Sequence, residues 1–317
     1  MTRLRFVAKP QELPGPPERG RLALVDLAFA NGAAYARITE PFIHALGPRL
    51  AIWVDHHDHD AWRDYEGDPR FVLVPKTKAR ACPELVTPEV VARAQPVEHL
   101  WAHADFDGLV AAATFLRGGH PPYPEAEEDA RWADAPGHGF TVSPRGRRLA
   151  LALDEASVTM KSAKAFDLLF QVVRALVEDT EPVHLSTQLD RLVDGLLLRQ
   201  ARLREQYLDH TVRPHPEVLL LELGKSMERA DKKFLLREME ERADVAIVSE
   251  RGHMTVATYH DEGELGFDLR RVPGLQGQRG FAWGRVPLEE ILEALRPTLR
   301  RRSRGGPLAF TSPEPDR

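Results

Sequence analysis

The fold of this chain is decided by the stretch Ile52-Trp53-Val54-Asp55-His56-His57-Asp58-His59-Asp60. Three apolar residues lead directly into a block of carboxylates and imidazoles, which is typical of a buried parallel strand that ends at a reaction site. In open α/β sheets the ligand crevice lies beyond the carboxyl ends of the strands. Carboxylates and neutral imidazoles together suit a divalent cation such as Mn²⁺, Fe²⁺ or Zn²⁺. The alternative interpretation is a polar loop that contains several histidines by accident.

Two other predicted strands also end in acidic or imidazole side chains. The run at 21–27 is a short buried strand that carries Asp26 at its end, and a buried strand tolerates Asp only if the carboxylate is paired or binds metal. The run at 98–108 predicts a strand followed by an Ala-rich helix, with His103, Asp105 and Asp107 at the joint. In an extended segment, residues two apart face the same side, so these three can converge on one or two cations.

Helix capping is the alternative interpretation of the aspartates in the run at 98–108. Capping by Asp105 or Asp107 explains one carboxylate, but not His103 and both aspartates together. The acidic segment 124–134 predicts a helix that ends at Asp134, which is either a further ligand or part of a solvated face.

The order of the patterns predicts an α/β fold with two sheet domains. We expect a parallel-sheet, metal-binding domain over 1–156, a helical connector over 157–213, a smaller α/β domain over 214–298 and a disordered basic tail over 299–317. Residues 1–20 predict an extended lead-in, residues 33–46 a helix, residues 265–269 a strand and residues 274–284 a glycine-rich loop. Phosphate binding by Arg279 in that loop and the nearby Arg270 is one interpretation, and turns with solvated arginines are the other.

Composition narrows the function classes. Of 317 residues, 43% are hydrophobic and 29% are charged, as in ordinary soluble globular proteins. The single cysteine, Cys82, excludes an internal disulfide, and no apolar run predicts a membrane span or a signal sequence, so we expect a cytoplasmic protein without membrane contact. The net charge of −5 argues against binding to duplex nucleic acid but not against a short phosphorylated substrate.

These motifs resemble the DHH phosphoesterase superfamily, which includes RecJ-type exonucleases, nanoRNA and cyclic-dinucleotide phosphodiesterases, and manganese-dependent pyrophosphatases. Asp55-His56-His57 resembles the motif that names the superfamily, and His103 to Gly108 resembles its Asp-x-Asp-Gly motif. Asp26 resembles the lone aspartate of another motif. The C-terminal part is similar to the DHH-associated substrate domain, so the resemblance covers most of the chain.

The resemblance implies a site with two divalent cations, Mn²⁺ first, with Mg²⁺ or another divalent ion as alternatives. It implies that the cations activate a water molecule and are held by a set of side chains: Asp26, His56, His103, Asp105, Asp107 and a late aspartate. His57 would contact the phosphate or protonate the leaving oxygen, and Asp55 would orient an imidazole. Arg279, Arg270, Gly277 and Gly280 would bind the substrate in the small domain.

Two features depart from the family pattern. Asp26 and Asp55-His56-His57 precede the Asp-x-Asp-Gly motif, as in a circularly permuted domain, and this order leaves the last ligand open, with Asp134 as the first choice and Asp129 and Asp60 as the alternatives. Gly277-Gln278-Arg279 replaces the usual Gly-Gly-His.

The expected substrate is a short oligonucleotide or a cyclic dinucleotide. Inorganic pyrophosphate or polyphosphate hydrolysis is the alternative within the same chemistry. A nucleotide-binding regulator without turnover is the alternative from another class. The sequence leaves the oligomeric state open, and a homodimer is compatible with it.

Overall fold

The computed structural model describes residues 2–134, 141–258, 267–277 and 280–303. Contacts divide the chain into two compact units, Met1–Gln206 with Glu228–Phe234, and Tyr207–Met227 with Leu235–Arg317. Each unit has its own sheet and its own buried apolar core. The predicted α/β class, with a parallel sheet first and a second sheet domain after it, is confirmed.

The first unit contains a sheet of five parallel strands. The strands are β1 (Arg3–Val7), β2 (Leu22–Val25), β3 (Leu50–Asp55), β4 (Phe71–Leu73) and β5 (His99–His103). They lie in the order β1-β5-β2-β3-β4, and every neighbouring pair is parallel. All five carboxyl ends therefore reach the same edge of the sheet, where the sequence places its acidic residues.

Both faces of this sheet are covered, as parallel sheets require. Ile52 and Val54 belong to one apolar core and Trp53 to another, because successive side chains of a strand point to opposite faces. The indole nitrogen of Trp53 donates to the carbonyl oxygen of Leu27 at 2.7 Å, which satisfies its buried polar atom. The helices of this part are α1 (Glu40–Leu46), α2 (Pro88–Ala94), α3 (Phe106–Leu116), α4 (Ala126–Asp134), α5 (Pro144–Thr159), α6 (Ser162–Glu178) and α7 (Val183–Tyr207).

The second unit contains a mixed sheet. Its strands are β6 (Val212–His215), β7 (Val218–Leu223), β8 (Val245–Glu250), β9 (His253–Thr258), β10 (Gln276–Gly277) and β11 (Phe281–Gly284). β7 and β8 are parallel, and the other neighbours are antiparallel. The helices of this part of the chain are α8 (Arg229–Glu240), whose first turns group with the first unit, and α9 (Leu288–Ser303).

Several local predictions differ from the structure. Part of the expected lead-in forms β1, a short strand that pairs with β5 and buries Phe6 and Val7. The glycine-rich loop contains the paired strands β10 and β11. Of the strand expected at 265–269, the described part leads into a 3₁₀ turn at Leu269–Arg271, and the helix expected at 33–46 begins with 3₁₀ and π turns before α1.

The helices of the middle segment belong mainly to the first unit. α5 begins at Pro144 after the Ser143 cap, and α9 runs to Ser303, inside the segment assigned to the tail. No helix among the described residues combines the length and the apolar character that a membrane crossing needs.

Candidate metal centre

The site is assembled where three neighbouring strands end. Asp26 follows β2, Asp55 is the last residue of β3, and His103 is the last residue of β5. Asp105 and Asp107 open α3, and Asp134 is the last residue of α4. Because β5, β2 and β3 are adjacent, these ends meet although their sequence positions are far apart.

Asp26 lies at the middle of the site and is 1% exposed. Its carboxylate faces two imidazoles, with Oδ1 at 3.3 Å from Nε2 of His56 and Oδ2 at 3.6 Å from Nδ1 of His103. Its φ of 58° is unusual for a residue other than glycine, and its backbone N–H donates to the carbonyl oxygen of Val54 at 2.9 Å. This strained conformation directs the side chain between the two histidines.

His56 is fully buried and held in one orientation. Its Nδ1 lies 3.1 Å from the carbonyl oxygen of Ala79, which can only accept, so Nδ1 donates and Nε2 is available to a ligand. Nε2 lies 3.2 Å from Oδ2 of Asp107 and 3.5 Å from Oδ2 of Asp134. Burial lowers the pKa of His56, but the carboxylates of Asp107 and Asp26 outweigh it, and the pKa is raised well above its ordinary value.

His103 is also oriented by a backbone carbonyl oxygen, but through Nε2 instead of Nδ1. Its Nε2 lies 3.2 Å from the carbonyl oxygen of Ala8 and donates to it, which leaves Nδ1 facing Oδ2 of Asp105 at 2.8 Å. Asp105 also caps α3, since its Oδ1 accepts from the backbone N–H of Gly108 at 3.0 Å. Burial lowers the pKa of His103, but Asp105 and Asp26 outweigh it, and the pKa is raised well above its ordinary value. Asp105 therefore both caps the helix and faces the cluster.

The two carboxylate oxygens of Asp107 differ, because within the part of the chain that the structure describes Oδ2 accepts a hydrogen bond and Oδ1 does not. Its Oδ2 accepts from the backbone N–H of Cys82 at 3.1 Å, and its side chain is 2% exposed. Burial raises the pKa of Asp107, and the nearby charge of Asp26 raises it further. Two carboxylates at this depth need a cation or a proton to compensate their charge.

The donor atoms fit a divalent metal. Three groups have ligand atoms within 4.8 Å of one another: Asp26 with His56 and His57, Asp26 with His103 and Asp105, and His56 with Asp107 and Asp134. Among the described residues, both carboxylate oxygens of Asp26, Oδ1 of Asp107 and Nε2 of His56 are buried without a hydrogen bond of acceptable geometry. Buried polar atoms of this kind require a partner, and oxygen and imidazole donors together match Mn²⁺ or Zn²⁺.

His57 and Asp55 form a pair beside the cluster. Nδ1 of His57 lies 2.8 Å from Oδ1 of Asp55, which also accepts the backbone N–H of His57 at 3.3 Å. Asp55 is fully buried, whereas His57 keeps 19% of its side chain exposed. The buried carboxylate orients the ring, and the partly exposed ring can reach a bound molecule.

Of the three candidates for the last ligand, the structure places Asp134 in the cluster. Asp129 is buried elsewhere, where its carboxylate accepts from the backbone N–H and the hydroxyl of Ser143, both at 2.6 Å. Asp60 is exposed at the start of a 3₁₀ turn. His59, from the same block, contacts Ala30 and Ala61 instead of the cluster.

Lys76 was not identified from the sequence. Its Nζ forms an ion pair with Oδ2 of Asp134, and both side chains are less than one-fifth exposed. Burial raises the pKa of Asp134, but Lys76 and His56 outweigh it, and the pKa is lowered. The available signal was the position of Lys76, three residues after the end of β4.

The predicted substrate residues lie in the second unit. Arg270 pairs with Asp268 at 2.9 and 3.0 Å, Gly277 lies in β10, and the carbonyl oxygen of Gly280 accepts from Thr258 at 3.0 Å. Arg279 lies outside the described residues. Their role in substrate binding stays a prediction.

No family model and no curated protein matches this chain. Among solved structures, RecJ from Thermus thermophilus in complex with Mn²⁺ is 16% identical with a TM-score of 0.42, over 90% of this chain and 45% of that one. Another exonuclease RecJ bound to manganese is 15% identical with a TM-score of 0.36, over 90% and 76%. PggH, a pGpG-specific phosphodiesterase from Vibrio cholerae, is 8% identical with a TM-score of 0.33, over 51% and 60%.

The chain thus spans less than two thirds of the length of PggH and of the Thermus protein. In its motifs, this chain resembles the DHH phosphoesterases.

Proposed function

We propose that this chain is a divalent-metal-dependent phosphoesterase that hydrolyses phosphodiester bonds in short oligonucleotides or cyclic dinucleotides. The observation that carries the proposal is the position of Asp26, whose two carboxylate oxygens face His56 and His103 from the middle of a buried cluster. A carboxylate in this position is suited to join two cation sites. Helix capping or chance does not explain three strand ends that meet around it.

The metal would be held by two sets of side chains that share Asp26. His103 and Asp105 form one group of close ligand atoms with Asp26. His56, Asp107 and Asp134 form a second group, and Nε2 of His56 lies 3.3 Å from Oδ1 of Asp26. When bound, divalent cations lower the pKa of a water molecule and neutralise charge on phosphate oxygens. The carbonyl oxygens of Ala79 and Ala8 fix the tautomers of His56 and His103, so that each ring presents an unprotonated nitrogen to the cluster in its neutral form.

His57 would handle the proton of the leaving group. Asp55 holds Nδ1 of His57, so Nε2 is the atom that can contact a phosphate oxygen or donate a proton to the departing oxygen. The partial exposure of His57 supports this role, because a substrate must reach the ring while Asp55 stays buried behind it.

The substrate class is proposed from charge and domain organisation. The net charge of −5 disfavours long duplexes, and a second domain suits a ligand that extends past one phosphate. We retain Arg279, Arg270, Gly277 and Gly280 as proposed contacts of that domain with the substrate.

The test is a hydrolysis panel in the presence of Mn²⁺, with di- and trinucleotides, a cyclic dinucleotide and pyrophosphate as substrates. We expect release of nucleoside monophosphate from the short nucleotides, loss of that release in Asp105→Ala, and parent-like release in Asp60→Ala, which alters an exposed carboxylate near the motif. Hydrolysis of pyrophosphate alone would contradict the proposed substrate. Nucleotide binding without turnover of any substrate would identify a regulator and contradict the proposed enzyme.

A further inference from the structure

Lys76 lies on a turn that also holds the metal-site histidine. The backbone N–H of Val74 donates to the carbonyl oxygen of Asp55 at 3.1 Å, which continues the pairing of β3 with β4. The N–H groups of Lys78 and Ala79 then donate to the carbonyl oxygen of Pro75 at 2.7 and 3.1 Å. The turn at 75–79 therefore fixes Lys76 beside the site, and its Ala79 carbonyl orients His56.

The ammonium group of Lys76 contacts an atom that the cluster needs for another purpose. Oδ2 of Asp134 pairs with Nζ of Lys76, and the same oxygen lies 3.5 Å from Nε2 of His56. His56, Asp107 and Asp134 have ligand atoms close enough to share one divalent cation. Oδ2 is the Asp134 oxygen that faces His56, so a cation there would compete with Lys76 for it. Two positive groups on one carboxylate oxygen repel each other, so the pair between Lys76 and Asp134 would be weaker with a cation bound.

A lysine displaced in this way needs another anion. Its side chain is 18% exposed, and a largely buried ammonium group without a partner is costly. This inference rests on the proposed function, under which the substrate supplies such an anion in its phosphate group. Lysine binds phosphate well as a point charge. We propose that Lys76 binds the substrate phosphate, after a divalent cation has taken its place on Asp134.

The first experiment is calorimetric titration of Mn²⁺ into the metal-free parent, Lys76→Gln and Lys78→Gln. Lys78 is the matched control because it lies on the same turn with an exposed side chain. We expect Lys76→Gln to bind Mn²⁺ roughly fivefold more tightly or better, since a competing cation is removed, and Lys78→Gln to behave as the parent. Unchanged or weaker Mn²⁺ binding by Lys76→Gln would show that Lys76 does not compete with the metal, and would overturn the proposal.

The second experiment measures the affinity of the Mn²⁺-loaded proteins for adenosine monophosphate, the probe for the phosphate group. Loss of a charged contact should weaken binding by Lys76→Gln on the order of 10- to 100-fold, with Lys76→Arg weakened less and Lys78→Gln unchanged. Equal affinity of parent and Lys76→Gln, or a Mn²⁺-loaded parent that does not bind the nucleotide, would overturn the proposal.

A measurement on the parent protein covers the case in which Lys76→Gln does not fold. Amine labelling followed by mass spectrometry should show Lys76 more reactive after Mn²⁺ is added and protected again by adenosine monophosphate, with Lys78 constant. Constant labelling of Lys76 would overturn the proposal.

None of these measurements needs turnover, so the two proposals can fail separately. A parent that binds the nucleotide through Lys76 but hydrolyses no phosphoester would contradict the proposed function alone. A parent that hydrolyses dinucleotides while Lys76→Gln keeps full nucleotide affinity would contradict the role of Lys76 alone.

Discussion

Gly108 packs so closely against His103 that a Cβ atom on Gly108 would come 2.4 Å from the carbonyl oxygen of His103. The same added Cβ atom would lie 2.9 Å from Cβ of His103. The first turn of α3 therefore rests directly on the end of β5. This contact brings Asp105, the N-cap residue of α3, to the histidine that ends the strand.

The Gly108→Ala variant should consequently lose stability and metal affinity. The helix would have to move away from backbone atoms, at a cost of about 1–3 kcal/mol in the free energy of unfolding, despite the better helix propensity of alanine. Urea denaturation and Mn²⁺ titration measure the two effects. Gly15→Ala is the control, since no heavy atom lies within 4 Å of its Cβ position. Parent-like stability and affinity of Gly108→Ala would show that α3 does not rest on β5.

The three candidate aspartates should give three different results when changed to asparagine. Asp134→Asn should weaken Mn²⁺ binding, because it removes a charge from the cluster, and should also destabilise the metal-free protein, because Lys76 loses the carboxylate that it pairs with. Asp129→Asn should destabilise the metal-free protein by about 1–3 kcal/mol, because the amide has one oxygen where the carboxylate has two to accept from the N–H and the hydroxyl of Ser143. The folded variant should keep its Mn²⁺ affinity. Asp60→Asn should do neither. Loss of Mn²⁺ binding in Asp129→Asn, with Asp134→Asn unaffected, would contradict this assignment.

The affinity for Mn²⁺ should increase as the pH rises. The raised pKa values of His56 and His103 mean that the metal-free protein holds protons there, and a cation must displace them. Protonated His56 and His103 stabilise the metal-free protein fully below their ordinary pKa of 6.5, and this stabilisation is lost as pH rises through the raised values. We expect Mn²⁺ affinity to rise with pH, by roughly tenfold per unit for each proton displaced.

Thermal unfolding with and without Mn²⁺ at several pH values provides the measurement. The increase in Tm caused by Mn²⁺ should be larger at about pH 8 than at about pH 6. An increase that is the same at both values would mean that the cluster holds no displaceable protons.

His57→Asn should separate catalysis from metal binding. If His57 assists the leaving oxygen, kcat should fall by about 10²- to 10⁴-fold while the number of bound Mn²⁺ ions stays the same. His44→Asn, in an exposed position of α1, is the control and should retain activity. Nδ1 of His57 lies 3.8 Å from Oδ1 of Asp26, so loss of one bound Mn²⁺ in His57→Asn would instead make His57 a ligand.

Much of the candidate site could be predicted from the sequence because its residues lie at the ends of predicted strands. Parallel strands bring their carboxyl ends to one edge, so Asp26, the block at 55–60 and the run at 103–107 could be grouped from the pattern. The choice of His56 within the block came from the resemblance to the DHH phosphoesterases. Lys76 could not be identified in this way, since only the pairing of β3 with β4 and the turn after it bring the ammonium group to Asp134.

Other parts of the fold depend on contacts that no local pattern reports. β1 has charged residues at alternate positions and becomes a strand through its pairing with β5. Asp129 and Asp134 lie on the same helix, and only the close approach of α5, where Gly146 leaves room for the Asp129 carboxylate, decides which of them turns away from the cluster.

The most direct test of the metal centre is a crystal structure determined with Mn²⁺ and measured for its anomalous scattering. We expect anomalous peaks at ligand distances of about 2.0–2.3 Å from Asp26, with His56 and Asp107 around one peak and His103 with Asp105 around another. Peaks that lie elsewhere, or a structure in which Asp26, His56 and Asp107 share no cation, would contradict the proposed centre.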